Sequence, residues 1–130
     1  MKHSVTLMIT SLLAILLFSL HWADEVSRGL ERGDLSSVGG IAILVVWLSA
    51  ALLLRDRALG LVLLGLASIL GTGVPIVHMS GQGLVGGRIP AGSDGSLFWV
   101  WTNIAMAPIS AIALFLSVYG LWSRRRKVPT

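Results

Sequence analysis

Four long apolar runs, separated by short polar segments, leave this chain few ways to fold: residues 5–22, 38–54, 58–78 and 97–121. Each is close to the roughly 17–25 residues that cross a hydrocarbon core of about 30 Å as a helix. Lipid offers no hydrogen bonds to an exposed backbone, so runs of this length read as helices, and the alternation that a barrel requires is absent. The expectation is one all-α domain over residues 1–130, an up-down-up-down bundle of four transmembrane helices with outer loops at 23–37 and 79–96.

Composition agrees: of 130 residues 55% are hydrophobic and 15 more are glycine, which leaves no room for a soluble module. With no cysteine, thiolate catalysis, disulfide exchange and thiolate-ligated metal sites are excluded. The first run has Lys2 before it, as a signal peptide would, but "FSLHWADE" lacks small residues at cleavage-site spacing, and it reads as a retained helix.

Charge position sets the expected orientation. Lys2, the turn "RDR" at residues 55–57 and the tail "RRRK" at 124–127 fall on one side; Arg28, Arg32 and Arg88 accompany five of the six acidic residues on the other. Positive charge stays inside, so both termini are expected in the cytoplasm of a bacterial inner membrane. Trp22, Trp99 and Trp101 would mark the outer interface and Trp122 the inner one, with Trp47 a packing residue. The tail would sit against anionic headgroups.

Gly81, Gly83 and Gly86 have the spacing G-x-G-x-x-G. A dinucleotide site needs those glycines between a strand and a helix. Here they follow an apolar helix and face away from the cytoplasm, so no nucleotide is expected, nor a nucleic acid. The glycine-rich segment reads as an outer connection, or as a lid over an outward-facing pocket.

Packing in lipid relies on small residues and interhelical hydrogen bonds. The third run offers Ala67 with Gly71 and Ser68 with Thr72. The fourth carries Ser96, Asn103, Ser110 and Ser117 at heptad spacing, a stripe with Ala107 and Leu114 between, expected to face protein. Pro75 and Pro108 each remove an intrahelical bond and predict kinks.

No Asp, Glu, Lys or Arg lies well inside a run, so the intramembrane charge that marks many proton-coupled transporters is missing. What remains is polar chemistry at the outer face. His21 closes the first run in "HWADE", His78 closes the third, and Asp24 and Glu25 follow His21 by three and four residues. They read first as unliganded interface residues; alternatively His21, Asp24, Glu25 and His78 are a donor set for a divalent metal, or the two imidazoles hold a haem axially or contact a quinone. Asp24 and Arg28 form an i,i+4 pair, which extends the first helix by about two turns toward Gly33.

The residues thus point to a non-enzymatic accessory or binding protein with an outward-facing polar site, in contact with lipid and with itself or another membrane protein. A transporter or channel subunit acting as an oligomer, and a haem or metal redox protein, are the alternatives.

Overall fold

The computed structural model describes residues 2–32, 34, 38–80, 89–90 and 92–126, and all of its regular structure is helical. Helix α1 is Lys2–Ser27, α2 is Val38–Ser49 continued by a π-helical turn Ala50–Leu54, α3 is Ala58–Met79 and α4 is Ser96–Arg125. The helix α1, α3 and α4 segments are long and apolar enough to cross a membrane. Helix α2 with its π turn is a shorter apolar helix over Val38–Leu54, about 25 Å at the usual rise. The Gly81 to Gly87 stretch lies outside the described residues, and with it the lid.

Local chemistry explains the helix ends. Helix α1 passes Trp22 as expected but stops short of Gly33. Gly29 takes a left-handed φ of 70°, its N–H donates to the Val26 carbonyl at 3.0 Å, and the Leu30 N–H donates to the Glu25 carbonyl at 2.9 Å. These bonds satisfy the last carbonyls of the helix, and glycine is the residue that makes them at no steric cost. Between α2 and α3, Gly60 lies directly against the Leu54 carbonyl, where a side chain would collide. That close approach lets the hairpin turn over residues 55–57. Pro75 and Pro108 sit inside unbroken helices, the first buried and the second exposed.

Helix α4 lies between α1 and α3 and packs most extensively on both, while α2 closes the opposite side against α1 and α3 without approaching α4. Helices α1 and α3 therefore face each other across the short diagonal of the bundle and touch. The α3–α4 seam is close: a methyl group at Gly71 would come within 3.1 Å of both Ser110 Cβ and the Trp47 ring, and one at Gly120 within 3.1 Å of Leu61. Trp47, Leu7, Ala14, Leu64 and Ala113 fill the core, and Phe18 meets Trp47 edge-on at 6.1 Å.

The seam on α4 runs through Trp99, Asn103, Met106, Ser110, Ala113, Ser117 and Gly120, all buried. Ser96 is only partly buried, and Met106 and Ala113 take the positions expected for Ala107 and Leu114. The reason is register: a 3.5-residue seam alternates steps of three and four, so the intermediate contact falls at i+3.

The outside of the bundle is apolar, and several polar side chains share the interior with the apolar core. Ser11, Ser68, Thr102, Asn103, Ser110 and Ser117 are buried, whereas Leu53, Leu97, Val77 and Phe115 are each more than two-thirds exposed. Apolar surface this extensive marks a face that meets lipid or a protein partner.

The end of the bundle that carries both termini is tied by exposed polar groups. Ser4 Oγ donates to Asp56 Oδ1 at 2.6 Å, Arg55 Nε donates to Ser4 Oγ at 3.2 Å, and Arg124 donates to the Asp56 carbonyl. His3 packs on Tyr119 here, far from the other two histidines.

Candidate metal centre

At the opposite end, the last turns of α1 and α3 meet the first turns of α4. His21 and Glu25 are four residues apart and so share one face of α1. His78 lies in the last turn of α3, and because α1 and α3 are diagonal neighbours across a narrow core, its ring reaches His21. The two ring nitrogens, His21 Nε2 and His78 Nδ1, are 3.0 Å apart and share one hydrogen bond. Glu25 Oε1 lies 3.7 Å from His21 Nε2 and 3.4 Å from His78 Nδ1. His21 and Glu25 are only 2% and 3% exposed, and His78 is partly buried.

Those three separations describe the face of a tetrahedron. Zinc–nitrogen and zinc–oxygen bonds of about 2.0–2.1 Å with tetrahedral angles put neighbouring donor atoms roughly 3.3 Å apart, and the observed edges bracket that value. Among the described residues these three side chains form a group that could hold a metal ion. A haem does not fit: its whole macrocycle would have to enter between two nitrogens already in hydrogen-bond contact.

Behind His21 stands a second layer on α4. His21 Nδ1 lies 3.2 Å from Thr102 Oγ1 and 3.2 Å from Asn103 Nδ2. The Thr102 hydroxyl donates to the Phe98 and Trp99 carbonyls, at 3.1 and 3.0 Å, so its lone pairs are free to accept. The Asn103 amide donates to the Trp99 carbonyl at 2.9 Å, which fixes its NH2 toward His21. The indole of Trp99, fully buried, stacks on His78 with 11° between planes and contacts His21 at 5.5 Å between centroids. In front of the three donors is a cavity of about 560 Å³, whose lining includes His21, Glu25 and His78 but none of the α4 residues.

Asp24 does not join the cluster. One residue before Glu25, it points about 100° away around the helix, and it accepts a hydrogen bond from Arg28 Nε at 2.8 Å. That bond pushes the Arg28 guanidinium above its already high ordinary value. Arg28 also donates through Nη1 to the Asp94 carbonyl at 2.9 Å, tying the start of α4 to the end of α1 beside Gly95, whose φ is 72°.

Sequence reasoning missed Thr102 and misplaced Trp99, which is not an interface marker but the buried floor of the site. The signal was present: Trp99 is four residues before Asn103 on the heptad seam. Asn103 itself, read as a packing amide, sits in the layer behind His21. Ser110 and Ser117 lie deeper in the bundle, away from the cluster. The chain matches no family model, no curated protein and no solved structure.

Proposed function

We propose that this chain is a four-span integral membrane protein, with both termini cytoplasmic, that binds one divalent transition metal at its outer face through His21, Glu25 and His78. The single observation that carries the metal reading is the set of three donor separations, 3.0, 3.4 and 3.7 Å, in a pocket where two of the donors are almost wholly buried. Two neutral imidazoles and one carboxylate make an N2O set suited to zinc and neighbouring divalent ions. Three protein ligands leave a fourth position open, the arrangement of sites that exchange a ligand.

Thr102 supports this reading, while the Asn103 amide serves the metal-free tautomer. A histidine that ligates through Nε2 must carry its proton on Nδ1, and Thr102 Oγ1 is placed to accept it. The membrane reading rests on three helices long enough to cross and on an exterior rich in large exposed apolar side chains. With seven of ten basic residues on the side of the termini, the histidine end is outward. The role is that of a binding protein.

The test is a titration of the purified protein in nonionic detergent with cobalt, whose visible bands become intense in tetrahedral N/O coordination. One equivalent should bind, zinc should displace it, and His78→Ala should abolish the bands. Absence of any stoichiometric cobalt or zinc binding would sink the proposal.

A further inference from the structure

The cavity in front of the three donors is lined by two chemistries in an ordered way. Phe18 and Val74 border it one turn below His21 and His78 respectively, toward the bundle interior, while Glu31 and Arg32 border it on the far side. Trp22 forms a side wall, and its ring lies so close over Gly40 that a Cβ there would be 2.7 Å away. Polar groups thus stand at one end of the cavity, the metal donors in the middle and apolar side chains at the other.

Charge restricts what can complete the coordination. A divalent ion with one carboxylate and two neutral imidazoles carries one net positive charge. The Asp24–Arg28 pair cancels, and so do the formal charges of Glu31 and Arg32. In a poorly solvated site the remaining charge favours a single monoanion. Size argues that this ligand is larger than hydroxide: about 560 Å³ is within the range of small-molecule pockets and far above the roughly 30 Å³ share of one water.

Resting on the metal reading, we infer that the open coordination position takes a monoanionic amphiphile, with an oxygen-donor head such as a carboxylate on the metal and an alkyl chain laid against Phe18, Trp22 and Val74. The chain would run toward the apolar depth of the bundle, away from Glu31 and Arg32. Fatty acids released from lipid have this chemistry; short water-soluble carboxylates share only the head.

Octanohydroxamate and acetohydroxamate, which present the same monoanionic head on a long and a short chain, separate those sources. Cobalt-loaded protein in nonionic detergent is titrated with each while the cobalt bands are followed. Octanohydroxamate should shift the bands with an apparent affinity at least tenfold higher than acetohydroxamate. Val74→Trp, which fills the apolar end without replacing a ligand, should keep the cobalt bands and lose the preference; Val74→Phe, a smaller filling of the same end, serves if that variant does not fold. Equal affinity for the two probes, no shift with either, or a preference retained in the filled cavity, as micelle partitioning alone would give, overturns the inference while leaving the metal site standing. Failure of cobalt to bind at all removes the metal reading and this one with it.

Discussion

Thr102→Val isolates the part of the metal reading that depends on the second layer alone. Without metal, the Asn103 amide donates to His21 Nδ1, so the ring proton sits on Nε2 and is shared with His78. Metal binding needs the Nε2 lone pair, which moves the proton to Nδ1, where Thr102 Oγ1 at 3.2 Å accepts it. Valine keeps the branched shape but puts a methyl group where the acceptor was. A buried N–H left without an acceptor costs about 1–3 kcal/mol, and loss of such an outer-layer partner typically weakens metal binding about 10–100-fold. The two figures agree at 1.4 kcal/mol per tenfold, as roughly 1.4–2.8 kcal/mol. The assay is zinc competition against a chromophoric chelator in nonionic detergent, with helicity measured in parallel. Thr102→Ser, which restores the hydroxyl, should return the affinity of the parent. A Thr102→Val protein that folds and binds zinc within about threefold of the parent refutes the tautomer argument.

Four further outcomes are expected. Metal occupancy, measured by elemental analysis after equilibration, should fall on acidification, because protons and metal compete for the same nitrogens; occupancy that rises on acidification contradicts this. Glu25→Gln should lower zinc affinity by at least tenfold while Asp24→Asn leaves it unchanged, since Asp24 is engaged by Arg28; equal losses in both would mean that the cluster is wrongly assigned. Ser110→Leu should lower the thermal stability of the bundle by the 1–3 kcal/mol typical of overpacking, because Gly71 leaves no space opposite it, whereas Ile112→Leu on the exposed face should be neutral. A cysteine introduced at Ser93 should react with an impermeant maleimide from outside intact cells and one at Ser123 only after lysis; the reverse pattern would invert the topology.

The helices were legible in the sequence because what defines them is local. An apolar run of 17 or more residues satisfies its own backbone, and the boundaries fell within a few residues of those seen: 5–22 against Lys2–Ser27, 58–78 against Ala58–Met79. Helix α1 ends before Gly33 because Gly29 takes the left-handed conformation that closes it, a position the sequence reading passed over.

The clustering of His21, Glu25 and His78 was partly legible for the same local reason. His21 and Glu25 share a helix face by spacing alone, and His78 shares their depth because it ends a helix running the same way. What the sequence could not fix was lateral position. Depth says nothing about which helices are neighbours, and it is the placement of α4 between α1 and α3, through the small residues Gly71, Ser110 and Gly120, that leaves α1 and α3 touching across the core and brings the two imidazoles to 3.0 Å. The same packing rotates Trp99 and Thr102 inward beneath the rings and leaves Asp24 on the flank with Arg28. Sequence determined the helices and the level of the chemistry; helix rotation and adjacency, which depend on contacts between residues far apart in the chain, decided which side chains meet.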